Sequence, residues 1–265
     1  FIKKNLKLLT FFASLRRITM NEIAIIIPSR LAAERLPNKP LELINNKEMI
    51  LHVYDAAKYA DIGDVYVATP DEKIVNVVME HGGKAIITQS SHQTGTDRVF
   101  EVFNKHLKKK PKIIINLQGD MPNISSKDIR FLADHMKKNL CDIGTLAGDI
   151  RNKKEEKDPN VVKVKLEKKI NKNFFSKAID FFRTIEKAIN DKTYHHIGIY
   201  AFTNKALMRY VDLERTKLEL KKKLEQLRAL ENNMKIDVGF VKYCPLSVDT
   251  ENDLIEVKKI MKNLK

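Results

Sequence analysis

Three cations follow the first expected strand of the chain at a spacing that suits a polyphosphate. Ile23-Ala24-Ile25-Ile26-Ile27 leads into Pro28-Ser29-Arg30, and Arg35 and Lys39 follow in Arg35-Leu36-Pro37-Asn38-Lys39-Pro40-Leu41. A continuous β-branched run is expected of a strand buried on both faces of a parallel sheet. The loop at the carboxyl end of such a strand is where open α/β sheets bind ligands. A second run, Ile113-Ile114-Ile115-Asn116-Leu117, ends in Gln118-Gly119-Asp120. In a parallel sheet both loops open on one edge, which brings Asp120 to the cations of the first. A carboxylate among cations suits a Mg²⁺ ion shared with phosphates, and such an ion is held by one or two carboxylates plus substrate oxygens. Asp249, in Leu246-Ser247-Val248-Asp249-Thr250, is the candidate for the second acid. Its alternative role is local: Asp or Thr as the N-cap of a helix with Asp253 in the first turn.

A third segment, His92-Gln93-Thr94-Gly95-Thr96-Asp97-Arg98, reads as a turn running into a helix capped by Thr94 or Thr96. Its glycine would let a ligand approach the backbone, and helix-terminal amides favour an anion.

The elements that must position these residues alternate. Strands are expected at 24–27, 65–68, 84–87 and 113–116, and helices at 49–60, 71–81 and 96–107, with Gly82-Gly83 ending the second helix. This order implies an α/β fold with a doubly wound, mostly parallel sheet and right-handed crossovers. After residue 140, strand-like segments at 142–146, 161–165 and 195–202 are separated by loops and a mixed segment at 174–189. A helical repeat over 213–230, a strand at 236–241 and a helix over 251–261 follow. The second half is therefore expected to carry a small β-rich lobe. No Gly/Ser linker or internal repeat divides the chain, so residues 20–265 read as one domain.

Composition narrows the partners. The net charge of +15 suits a polyanion. The lysine excess lies in runs such as Lys108-Lys109-Lys110, without the interleaved aromatics of a single-strand binder. A phosphorylated substrate is therefore expected, with neither nucleic acid nor membrane as partner. No apolar run is long enough to span a bilayer. Cys141 and Cys244 are the only cysteines and lack metal-ligand spacing, which fits a reducing compartment, read as the cytoplasm. Residues 1–19 hold five basic residues and no acidic one before Met20, and read as an extension or disordered tail. Without them the net charge would fall from +15 by five, to +10.

Taken in order, I-I-P-S-R-x4-R-L-P-x-K-P-L, H-x-T-G-T-D-R, N-L-Q-G-D, H-I-G-I-Y, L-E-Q-L-R and V-D-T resemble the CMP-Kdo synthetase (3-deoxy-manno-octulosonate cytidylyltransferase) family over residues 22–263. The resemblance implies a nucleotide-diphospho-sugar transferase type of fold, transfer of CMP from CTP to an acid sugar, Mg²⁺ as cofactor and a homodimer. It gives Arg30, Arg35 and Lys39 the CTP triphosphate and puts Thr96, Asp97, Arg98 and Gln118 near the nucleotide. It makes Asp120 and Asp249 the metal ligands. Lys177, His196, Tyr200, Glu225 and Gln226 would line the sugar pocket, with Arg30, Arg35, Lys39 and Asp120 serving catalysis. The chain departs from the family pattern at Met121, where an acid is usual. It departs again at Phe175-Ser176-Lys177-Ala178-Ile179-Asp180, where lysine replaces an arginine and a proline is missing. Lysine keeps the charge but lacks the planar bidentate fork. Beside Kdo, the sugars 8-amino-Kdo and a sialic acid relative therefore stay open, and a basic nucleic-acid-binding protein is the rival from another class.

Overall fold

The computed structural model describes residues 22–32, 35–139, 141–172, 174–184 and 191–263; the reading of residues 1–19 lies outside them. The first strand, β1 (Ile23–Pro28), is buried along its whole length. It is flanked in parallel by β4 (Asp64–Thr69) and β6 (Ile113–Leu117), and β5 (Ala85–Ile87) adds to β4 in parallel. Alternate residues of β1 enter opposite cores: Ile23, Ile25 and Ile27 pack in one and Ala24 and Ile26 in the other. That is the physical reason the run is apolar without alternation. Helices α1 (Met49–Tyr59), α2 (Glu72–Glu80), α3 (Gly95–Glu101) and α4 (Ser126–Lys138) connect or follow these strands, and a small hairpin, β2 (Leu43–Ile44) and β3 (Lys47–Glu48), precedes α1. Gly82, at φ 75°, terminates α2 as the glycine pair predicts. The expected helix over 96–107 is α only to Glu101 and continues as a π-turn over Val102–His106.

The second half is more interwoven than the sequence suggests. It comprises β7 (Ile143–Gly148), α5 (Lys153–Lys157), β8 (Lys163–Leu166), β9 (Ser176–Phe182), β10 (Thr193–Thr203), α6 (Asn204–Val211), α7 (Lys217–Lys222), α8 (Gln226–Glu231), β11 (Ile236–Phe240) and α9 (Glu251–Lys262). The strands join one nine-stranded sheet ordered β5-β4-β1-β6-β10-β7-β11-β9-β8. It is mixed rather than mostly parallel. The first four strands and the β7–β11 pair run parallel, whereas β10 is antiparallel to β6, β7 and β8, and β9 is antiparallel to β8 and β11. Because β10 also pairs with β8, the strands expected as a small β-rich lobe close back on the main sheet through that long strand. The helical repeat over 213–230 is two short helices, broken where Lys223 takes a left-handed conformation. None of the described helices is long and apolar enough to cross a membrane.

The loop before α3 is anchored by Glu101, which accepts from the Gln89 amide at 2.9 Å and contacts His92 Nε2 at 2.5 Å. Burial would raise its carboxyl pKa, but His92, the Gln89 amide and Lys105 outweigh burial and hold it at about 2. A depressed carboxylate stabilises above its unfolded pKa near 4.5 and loses that contribution as pH falls toward 2. Glu101→Gln should therefore lower the melting temperature at pH 7, by an effect on the order of 3 kcal/mol. The gap from wild type should narrow progressively below pH 4.5, as thermal melts across pH would record.

Candidate active site

A cleft of about 870 Å³ opens at the carboxyl ends of β1 and β6, and Arg30, Arg35, Lys39, Gln118, Asp120 and Asp249 all line it. A smaller cavity of about 240 Å³ is lined by His196, Tyr200, Gln226, Met121, Arg183 and Asn160, among others. Gln118, Asp120, Glu225 and Asp249 line both, so the two acids stand where the cavities meet. The cleft has a second mark of a ligand site. The hydroxyl of Ser29, on its wall, is buried with no hydrogen-bond partner among the described residues.

Asp120 and Asp249, far apart in sequence, converge on one ammonium. Lys39 Nζ lies 3.1 Å from Asp120 Oδ2 and 3.2 Å from Asp249 Oδ1. The Val248 amide donates to the Asp120 carbonyl at 2.9 Å, which ties the two loops together. Arg35 reaches the other oxygen of Asp249 at 3.1 Å and donates to Asn160 Oδ1 at 2.8 Å. Burial works against the Lys39 charge, yet the two carboxylates overcome it and raise its pKa. The alternative role for Asp249 is taken by its neighbour: Thr250 caps α9 in a capping box with Asp253. Asp249 is thereby left facing the cleft. Two carboxylates that share a single cation at the junction of two cavities fit a divalent ion with oxygen ligands, the Lys39 ammonium marking where positive charge belongs.

The third segment divides between lining and scaffold. His92, Gln93, Thr94, Gly95 and Arg98 line the cleft. Thr96 and Asp97, expected beside the nucleotide, line neither cavity. Asp97 is consumed by a capping box with Thr94. Thr96 is buried and donates to Glu225 Oε2 at 2.6 Å, while its oxygen accepts from Asn116 Nδ2 at 3.2 Å. Asn116 Oδ1 accepts in turn from Gln118 Nε2 at 3.2 Å. This relay joins the cleft to the smaller cavity and fixes the Gln118 amide. Burial pushes the Glu225 carboxyl up, against the hydrogen bond from Thr96. Arg98 is buried and donates to the Gln89 carbonyl at 3.1 Å; burial, then Arg30, pulls its pKa down.

In the smaller cavity, His196 and Tyr200 come from β10 with ring centroids 5.4 Å apart. Burial, then His195, lowers the His196 pKa to about 3, so its imidazole is neutral. Burial, then Glu225, raises that of Tyr200. Gln226, at the start of α8, is buried, and with Glu225 it lines the smaller cavity. Lys177 is the exception. It is exposed on β9 and lines neither cavity.

The cause is a bulge that strict alternation conceals. Lys165 pairs with Asp180 but Leu166 pairs with Ala178, leaving Ile179 as an extra residue. The pleat changes parity there, so Ser176 and Phe181 are both buried while Lys177 turns outward. Arg183, beyond the bulge, lines the cavity instead, as does Lys223. Arg183 donates to the Pro159 carbonyl at 3.1 Å, and buried Lys163 grips its own carbonyl at 3.0 Å. Sequence reasoning missed Arg183; the only signal was the length of the mixed segment, which leaves room for one residue too many. Among the described residues one other group could hold a metal ion, His135, Cys141 and Asp237. It lines neither cavity, and its His135 Nε2 and Asp237 Oδ2 already share a 2.9 Å hydrogen bond.

Comparison with known proteins places this arrangement among relatives. The family described as Cytidylyltransferase matches residues 24–236. The 3-deoxy-manno-octulosonate cytidylyltransferase of Bartonella tribocorum is 41% identical over 241 residues, covering 91% of this chain and 98% of its own. That of Rhodopseudomonas palustris is 40% identical over 245 residues, covering 92% and 99%. Among solved structures, a CMP:2-keto-3-deoxy-manno-octonic acid synthetase complexed with CTP superposes with a TM-score of 0.83 at 34% identity, covering 92% of this chain and all of that one.

Proposed function

This chain belongs to the cytidylyltransferase family, with 3-deoxy-manno-octulosonate cytidylyltransferases as its relatives, and we propose that it transfers CMP from CTP to Kdo. Pyrophosphate is the second product, and the activated sugar serves lipopolysaccharide core assembly. The observation that carries this reading is the pair Asp120 and Asp249 at the junction of a cationic cleft and a second cavity. In the proposal the catalytic unit is one domain over residues 20–265 of nucleotide-diphospho-sugar transferase type, acting as a cytoplasmic homodimer. The two buried free cysteines are consistent with that compartment.

The sugar's anomeric hydroxyl attacks the α-phosphorus of CTP in line. A bond forms between that oxygen and phosphorus, the bond to the β-phosphate bridging oxygen breaks, and the hydroxyl proton leaves to solvent. No protein nucleophile is required. The chain contributes position and charge. Arg30, Arg35 and Lys39 neutralise the phosphates and the departing pyrophosphate. Asp120 and Asp249 would hold Mg²⁺, which when bound supplies charge neutralisation to the phosphate oxygens and acidifies a coordinated hydroxyl. Lys39 gives up its bridging position as nucleotide enters and turns to the phosphates. Gln118 and the Thr94–Arg98 turn frame the nucleotide, with Thr96 acting through Glu225 rather than on CTP. His196, Tyr200, Glu225 and Gln226 hold the sugar, and Arg183 faces its carboxylate.

Pyrophosphate release with CTP, Mg²⁺ and Kdo tests this directly. Release should require all three and fall sharply with UTP; absence of release with any acid sugar would remove the proposal. The role of Arg183 separates cleanly from that of Lys177. Arg183→Met should raise KM for the sugar about tenfold to a hundredfold, the loss of a charged hydrogen bond, with KM for CTP little changed. Lys177→Ala should leave both within about twofold.

A further inference from the structure

The β10–β7 ladder slips between Ile197 and Tyr200, so Gly198 and Ile199 are skipped in the pairing. Such a bulge frees backbone carbonyls and re-aims side chains beside a site. Here the freed carbonyls find one side chain. Thr145, fully buried in the middle of β7, points its hydroxyl at the Ile199 carbonyl, 2.7 Å away, with the Ile197 carbonyl at 3.3 Å. The same oxygen lies 3.0 Å from His196 Nε2. A threonine hydroxyl has one proton and two lone pairs. Both carbonyls can only accept, so that proton is committed to the backbone. The Thr145 oxygen is therefore left to accept, and His196 Nε2 must donate.

We infer that Thr145 fixes His196 in the tautomer protonated at Nε2, so that Nδ1 meets the acid sugar as a hydrogen-bond acceptor for one of its hydroxyl groups. The inference rests on the assignment of the smaller cavity to the sugar. Burial keeps the imidazole neutral, and Nε2 meets the uncharged Thr145 hydroxyl rather than a carboxylate. Phe181 meets the imidazole edge-on at 5.0 Å and Tyr200 flanks it, so the ring is held in orientation as well as in tautomer. Thr145 is thus a positioning residue that acts through His196 and never touches substrate.

The test begins without substrate. Nitrogen chemical shifts of the His196 ring at pH 7 should report a protonated Nε2 and a bare Nδ1; a protonated Nδ1 would overturn the inference outright. Thr145→Val should then abolish the fixed tautomer and raise KM for the sugar about tenfold, while KM for CTP stays within twofold. Thr145→Ser, which restores the hydroxyl, should recover both readouts. A serine variant as impaired as the valine variant would overturn the hydroxyl's role, with thermal melts excluding misfolding of either. Failure of the cavity assignment looks different: His196→Ala would then leave the sugar KM unchanged whatever tautomer the ring adopts.

Discussion

Replacing Asp120 by asparagine should lower turnover by at least about a thousandfold while leaving the fold intact. The chain's own geometry sets both halves of that expectation. Asp120 supplies one of the two formal negative charges that meet at Lys39, and an amide keeps the shape but not the charge. A divalent ion contributes several kcal/mol of charge stabilisation in such reactions, and about 4 kcal/mol is a thousandfold in rate. The fold is not at risk, because Asp120 is partly exposed and Lys39 retains Asp249 at 3.2 Å. The measurement is kcat for pyrophosphate release alongside a thermal melt. A variant that melts like wild type and turns over within tenfold of it would contradict the role given to Asp120.

Loss of Arg228 should produce the largest stability change. Its guanidinium donates to both oxygens of Glu219, at 2.9 and 2.7 Å, and both side chains are almost fully buried. Removing one partner of a buried pair typically costs about 3–5 kcal/mol, because the other charge stays in place unpaired. Arg215, 3.2 Å from Glu219 but more exposed, offsets part of this. Arg228→Met should therefore lower the melting temperature on the order of 10 °C. Arg228 also stacks over Tyr210 at 4.6 Å, and Tyr210 donates to the Glu225 carbonyl at 3.0 Å. The variant should raise KM for the sugar through displacement of Glu225. The double change Glu219→Leu with Arg228→Met should recover much of the stability, since an apolar pair replaces an uncompensated charge. A single variant as stable as wild type would show that the pair contributes nothing.

The first half of the molecule was legible because its signals are local. Buried parallel strands have to be apolar on both faces, so Ile23–Ile27 and Ile113–Leu117 announce themselves, and the loops that follow them hold Arg30, Lys39 and Asp120. The second half depends on events that pattern does not encode. Whether Asp249 caps a helix or faces a cleft turns on one residue, and Thr250 takes the cap. Lys177 and Arg183 lie six positions apart and would share a face in a regular strand; one extra residue at Ile179 separates them. Glu225 reads as a helix-surface acid until Thr96, from a segment 129 residues away, is seen to bond it. Thr96 and Asp97 adjoin the cleft-lining Thr94, Gly95 and Arg98, but their own contacts are to the protein rather than to the cleft.

In the proposed mechanism Asp120 and Asp249 together hold one divalent ion against the nucleotide. Titration of Mn²⁺ into the protein with CTP present, following free ion by electron paramagnetic resonance, tests this without requiring turnover. Wild type should bind one ion per chain, more tightly with CTP than without. The double variant Asp120→Asn with Asp249→Asn should lose that CTP-dependent ion while it still melts cooperatively. Equal binding of Mn²⁺ with CTP by the double variant and wild type would contradict the account.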